Sequence, residues 1–172
     1  CIAKGLGAGY QPIGAMLCQS EIYQAISEGS GFFQHGHTYL GHPVAAAAGC
    51  AVFKEIDSKD LVSRVRDLGP RFESALREQF LDHQMVGDIR GRGLFWAIEL
   101  VSNKETKEPF DPALRLAANI KKAAFENGLI CYPMAGTRDG VKGDHVLLAP
   151  PFIIDDVQIE ELIGKLASAI DV

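Results

Sequence analysis

Lys4 is the side chain best placed by its neighbours to do chemistry. It ends the apolar run Cys1-Ile2-Ala3 and is followed at once by Gly5, with Gly7 and Gly9 close behind. A lysine in apolar surroundings loses hydration of its ammonium, so the neutral amine becomes available as a nucleophile. Such an amine condenses with an aldehyde to form a Schiff base. The three glycines let the backbone take φ > 0 and come close to another group. Spacing alone, however, favours a surface lysine ahead of a strand-to-loop turn. The loop is not a common nucleotide cradle: it lacks the Gly-Lys-Ser/Thr ending of a P-loop and the third glycine of a dinucleotide fingerprint.

Three histidines, His35, His37 and His42, stand in the stretch from Phe32 to Pro43. Imidazoles two apart on a strand face the same side, but no carboxylate or cysteine stands near enough to complete a zinc set. Loop histidines are expected, and no metal. Thr38 offers a hydroxyl between Gly36 and Gly41. A hydroxyl and nearby N–H groups suit a dianion where the backbone approaches closely. Further on, Arg90 and Arg92 flank Gly91 and could be read as an anion clamp.

These segments occur in an order that resembles a known family. Ala3-Lys4-Gly5-Leu6 with Gly9-Tyr10-x-Pro12-Ile13-Gly14-Ala15, then His37-Thr38-Tyr39 with Gly41-His42-Pro43, then Arg90-Gly91-Arg92-Gly93-Leu94 and Ile98-Glu99-Leu100, then Ala149-Pro150-Pro151-Phe152, resemble the C-terminal portion of class III (omega-type) aminotransferases. These are pyridoxal-phosphate (PLP) enzymes of fold type I, an α/β fold. The resemblance implies that Lys4 holds the cofactor as an internal aldimine and then shuttles a proton. It implies that Thr38 crosses a homodimer interface to the phosphate of the other subunit's cofactor. Substrates would be an amine or amino acid and a keto acid, with pyruvate the expected acceptor. An aminomutase of the same fold, or a non-catalytic interaction fragment, is the alternative. The family also implies a chain more than twice as long, whose other half carries the aspartate for the ring nitrogen, the stacking aromatic and most phosphate ligands. The 172 residues alone are therefore expected to be inactive.

One departure concerns the substrate. Many omega-type transaminases place an arginine before the proline near Pro133, where it binds a substrate carboxylate. Here that position is Tyr132, and a glycine-containing loop carries Arg138. A planar guanidinium pairs bidentately with a carboxylate; a solvated loop charge is the equal alternative.

Composition bounds the rest. The chain is 47% hydrophobic and 23% charged, with net charge -5 and both signs interspersed, so nothing invites nucleic acid. No apolar run reaches membrane-spanning length, and no signal-peptide pattern opens the chain. Cys1, Cys18, Cys50 and Cys131 show no paired spacing and are expected as buried thiols in a reducing cytosol, hence a cytoplasmic protein. The first residue admits a lipoprotein reading, but Ile2-Ala3-Lys4 reads as the interior of a strand, and truncation explains the missing Met more simply.

These groups need elements to position them. Ile13 to Cys18 reads as a buried strand, and Ser20 as the N-cap of a short helix ending at Glu28-Gly29. Pro43 opens a helix to about Asp57 with an all-alanine face, expected to be buried. From Ser58, Leu61, Val65, Leu68, Phe72, Leu76 and Phe80 recur at helical steps, with Pro70 expected to kink or split the helix. Leu94 to Leu100 reads as a strand buried on both faces. Asp111-Pro112 opens a helix ending at Gly128, Leu129–Pro133 and Val146–Ala149 read as strands, and Asp155 with Gln158 forms a capping box for the last helix. The pattern changes at Ser58, and the resemblance implies that residues 1–57 finish a large PLP domain and 58–172 form a small α+β domain.

Overall fold

The apolar stripe from Leu61 to Phe80 forms one helix, α3 (Leu61–Phe80). Leu68, Phe72, Leu76 and Phe80 fall on one side at four-residue steps and are fully buried. Pro70 lies inside this helix without ending it. An interior proline costs about 3 kcal/mol, and burying each large apolar side chain returns about 1.5–3 kcal/mol, so the core residues on both sides of Pro70 hold the helix together.

The computed structural model describes residues 1–171 and falls into two units, Cys1–Leu61 and Val62–Val172. The second is built on a four-stranded antiparallel sheet in the order β1-β2-β4-β3. The strands are β1 (Val86–Arg92), β2 (Phe95–Leu100), β3 (Tyr132–Ala135) and β4 (Asp144–Leu148). Trp96, Ile98 and Leu100 of β2, with Val146 and Leu148 of β4, face the core. So do α3, α4 (Leu116–Glu126) and α5 (Asp156–Ile170).

Several sequence expectations change here. Strand β1 was not anticipated, because Gly87, Gly91 and charged residues weaken any strand signal. Both glycines answer close approaches: a Cβ at Gly91 would lie 2.3 Å from the Phe95 carbonyl oxygen, and one at Gly87 2.6 Å from Val101 Cγ1. β2 is buried on one face only, with Phe95 on the other 59% exposed. The helix expected from Asp111 is broken. A 3-10 turn, Pro112–Leu114, is capped by Asp111, then Arg115 takes φ 51° and α4 begins. The capping box of α5 is present: Gln158 N–H donates to Asp155 Oδ1 at 2.8 Å, and Asp155 N–H to Gln158 Oε1 at 3.1 Å.

The first unit holds a 3-10 turn at Lys4–Leu6, α1 (Ser20–Glu28) and α2 (Pro43–Ser58). Ser20 is the first residue of α1 and not its cap; Gln19 stands at the N-cap without a side-chain bond. Ile13–Cys18 is not a buried strand. Its one ladder contact is the Ile2–Ala15 bridge, and Met16 and Leu17 are exposed. A strand needs a neighbour for its N–H and C=O groups, and none of the described residues runs beside it. The alanine face of α2 buries only Ala45 and Gly49. The cysteines are free, but Cys1, Cys18 and Cys50 are exposed and Cys131 is half-buried, so the buried thiols expected from sequence are not found. No helix of the described residues is long and apolar enough to cross a membrane.

Candidate active site

The Lys4 turn is fixed from three sides. Ile2 N–H donates to Ala15 O and Ala15 N–H to Ile2 O, both at 2.8 Å, tying the ends of the loop together. Inside it, Leu6 N–H reaches Ala3 O at 3.1 Å and Tyr10 N–H reaches Gly7 O at 2.9 Å. Gly7 is buried, and a Cβ there would sit 2.6 Å from Gln11 O and 2.7 Å from Ile13 Cγ2. From the third side α2 packs on the turn through Gly49, whose added Cβ would lie 3.4 Å from Ile13 Cδ1 and 3.7 Å from Leu6 O.

Lys4 itself takes φ 54°, the left-handed region that a side chain disfavours. Such a conformation costs on the order of 1–3 kcal/mol and persists only where the surroundings over-determine it. The side chain is exposed, as are Cys1, Ile2 and Ala3, so the apolar run does not enclose it. Among the described residues, Lys4 Nζ makes no hydrogen bond or ion pair. The turn presents a free primary amine.

Thr38 stands in a turn in which Leu40 N–H donates to His37 O at 3.0 Å and His42 N–H to Tyr39 O at 3.1 Å. Among the described residues, no backbone carbonyl accepts from the N–H of Thr38 or Tyr39. His42, which spacing alone did not single out for this, caps α2: its Nδ1 accepts from Ala45 N–H at 3.3 Å. That leaves Nε2 as the protonated nitrogen of the neutral ring. A groove of about 760 Å³ runs between Gln11–Gly14 and the His37–Ala46 stretch, lined by His37, Tyr39 and His42. The described residues contain no group of three or more His, Cys, Asp or Glu able to hold a metal.

Each of these two sets of donors fits one end of an aldehyde-bearing phosphate ester. Gly5 and Gly9 beside Lys4, and Gly36 and Gly41 around Thr38, have nothing within 4 Å of the position a Cβ would occupy. One free amine, one hydroxyl, free N–H groups and open glycine backbone are what an aldehyde and a phosphate dianion require.

Tyr132 and Arg138 are not brought together. Tyr132 opens β3 opposite Leu147, and the hairpin continues away from it through Arg138 N–H, which donates to Lys142 O at 2.9 Å. The three strand steps of β3 alone span about 10 Å. Both side chains are exposed, and Arg138 Nη1 lies 3.8 Å from Glu108 Oε2. Arg90, one of the two clamp candidates, donates to Asp88 Oδ2 at 2.8 Å and Glu99 Oε2 at 2.5 Å.

Residues 1–170 match the sequence profile of the family described as Aminotransferase class-III. The chain belongs to that family.

Class III aminotransferases depend on PLP, and similar proteins carry the name. An aminotransferase of Gibberella zeae is 42% identical over 98% of this chain and 33% of that relative. A putrescine–pyruvate aminotransferase of Pseudomonas aeruginosa is 35% identical over 99% of this chain and 35% of its own length. The chain thus spans about a third of the curated relatives it matches. Among solved structures, a transaminase from the marine bacterium Virgibacillus superposes with a TM-score of 0.88 at 34% identity, over 98% of this chain and 37% of the other. A PLP-bound aminotransferase mutant from Vibrio fluvialis gives 0.87 at 34%, over 98% and 36%. The fold is therefore that of the PLP-dependent class III transaminases, fold type I, including an α+β portion with an antiparallel sheet.

One further residue stands out from its surroundings. Asp144, at the start of β4, is 5% exposed, and burial raises its carboxyl above the ordinary aspartate range, opposed by a hydrogen bond from the Ala117 backbone and by His145. Nothing in Gly143-Asp144-His145 marks it as a buried acid. Pairing to both β2 and β3 is what encloses it.

Proposed function

We propose that the whole protein is a transaminase that moves an amino group from an amine or amino acid to a keto acid, with Lys4 as the residue that binds PLP through a Schiff base. The observation that carries this is the unpartnered amine of Lys4 on a strained turn, held by the Ile2–Ala15 bridge and walled by glycines. When bound, PLP supplies the carbonyl carbon that takes the amine and the conjugated ring that accepts electron density. Lys4 Nζ would be the group that takes a proton from the substrate carbon and returns it to the product side.

Thr38 fits a second role, binding phosphate with its hydroxyl and the free N–H groups of Thr38 and Tyr39. It serves the cofactor of the other subunit of a homodimer. Residues 1–57 finish the cofactor domain and 58–172 form the small domain. Tyr132 and Arg138 contact the substrate, each from its own place on the β3–β4 hairpin. Pyruvate is the acceptor proposed, in keeping with the relative named for that substrate.

Borohydride reduction of the full-length enzyme, followed by peptide mapping, tests the assignment. Label on the Lys4 peptide is the expected result; label elsewhere, or none, removes Lys4 from this role.

A further inference from the structure

The Thr38 turn is joined to α2 through one residue. His42 N–H donates to Tyr39 O at 3.1 Å within the turn. On the helix side, its carbonyl accepts from Ala46 N–H at 2.9 Å and its ring Nδ1 from Ala45 N–H at 3.3 Å. Pro43, the first residue of α2, brings no N–H. The Tyr39 ring meets the His42 ring edge to face, with centroids 6.2 Å apart. The same helix packs on the Lys4 turn through Gly49. Both sets of donors are thus held to one helix, and His42 is the joint at the Thr38 end.

This joint depends on the charge of the ring. An imidazole accepts only through a nitrogen that carries no proton, and the cationic ring has none. Protonation also sets a positive charge at the positive end of a 16-residue helix whose first turn holds no acid to offset it. The two effects have the same sign, and each weakens the cap. His42 is exposed, so protons reach it. His37 and Tyr39 are the other titratable groups lining the adjoining groove; residues 11–14 across it, and Ala45 and Ala46 of α2, bring none. No carboxylate lining that groove is present to favour the cationic ring.

We infer that His42 is a positioning residue for the Thr38 turn, holding it to α2 only while the ring is unprotonated. Its consequence for the cofactor rests on the reading of Thr38 as a phosphate-binding residue: acid loosens the turn, and the grip on phosphate falls with it. The joint between turn and helix does not need that reading.

Deuterium exchange of the peptide covering residues 37–46, in the PLP-loaded full-length protein, reads the joint, and dialysis against phosphate reads cofactor retention in parallel. His42→Asn supplies an oxygen cap that does not titrate, and His42→Ala removes the cap. At neutral pH, exchange in His42→Ala should be about fivefold faster than in the parent, the usual effect of a lost cap, and His42→Asn should match the parent. On acidification the parent should approach His42→Ala while His42→Asn keeps its protection. Comparing the three chains at each pH cancels the intrinsic pH dependence of exchange and of the cofactor phosphate. Superimposable pH profiles for the parent and His42→Asn overturn the inference, as does parent-like exchange in His42→Ala. Should His42→Ala not fold, the parent and His42→Asn alone decide the proton dependence. Exchange that follows the expected pattern while retention is equal in all three chains supports the joint and overturns the phosphate role of Thr38.

Discussion

Gly69 and Gly93 meet without side chains between them: a Cβ built on Gly69 would lie 3.0 Å from Gly93 Cα and 3.2 Å from its carbonyl oxygen. α3 and the β1–β2 hairpin therefore pack as two bare backbones. Gly93, at φ 59°, is the first residue of the two-residue hairpin loop closed by the Arg92–Phe95 pair, where positive φ favours glycine.

Gly69→Ala should lower stability although alanine is the better helix former. The helix gain is about 1 kcal/mol, whereas forcing extra volume into a packed contact costs about 1–3 kcal/mol, and the atoms met here are backbone. Gly164→Ala, in α5 with nothing within 4 Å of its added Cβ, keeps the helix gain alone and should stabilise. Urea midpoints of the two variants should move in opposite directions. A rise for Gly69→Ala would mean that the hairpin yields freely.

Replacing Lys4 by alanine should remove the absorbance band of the imine between the cofactor and the protein. Transamination should fall by about 10²–10⁴-fold or more, the range associated with losing a proton-transferring group. The spectrum and a single-turnover assay on the full-length enzyme check both effects. An unaltered spectrum would assign the cofactor linkage to another amine.

Thr38→Ala removes one hydroxyl donor to a dianion while leaving the turn's backbone bonds in place. Retention of PLP by the full-length protein during dialysis against phosphate should drop about tenfold. Unchanged retention would show that the free N–H groups suffice.

Asp144 makes a pH-dependent contribution with a definite sign. Burial raises its carboxyl in the folded protein, against the Ala117 hydrogen bond and the nearby His145. The folded state thus binds the proton more readily than the unfolded chain. Its stabilising contribution is complete below the ordinary aspartate range and is lost as pH rises through the raised value. Asp144→Asn keeps an oxygen acceptor without a charge, so the stability–pH profile should flatten there, and the variant should equal or exceed the parent at neutral pH. Thermal midpoints across an acidic-to-neutral series decide it; a less stable variant at neutral pH would mean that the ionised form is favoured.

Arg138 faces Glu108 at 3.8 Å, and Lys142 approaches the same carboxylate at 3.9 Å. Exposed pairs at such distances are worth little, which leaves the guanidinium available to a substrate carboxylate. Arg138→Ala should raise KM for the keto acid several-fold with kcat little altered, the pattern of lost uniform binding. If KM does not move, the arginine serves Glu108 alone.

Local pattern determined much of this protein. The stripe from Leu61 to Phe80 gave α3, Pro43 gave the start of α2, and Asp155 with Gln158 gave the start of α5. In each case the physical cause acts within a turn or two of helix and is written in consecutive residues. The ordered motifs around Lys4, Thr38 and Pro150-Pro151 carried the family. Strand β1 was hidden because its glycines are required by Phe95 and Val101, partners that only the folded sheet brings near. Arg115 at φ 51° and the burial of Asp144 are likewise products of packing between elements distant in sequence. Sequence supplied the amine, the hydroxyl and the arginines. Tertiary structure decided which were left unpaired, because pairing depends on distances across elements and not on spacing along the chain.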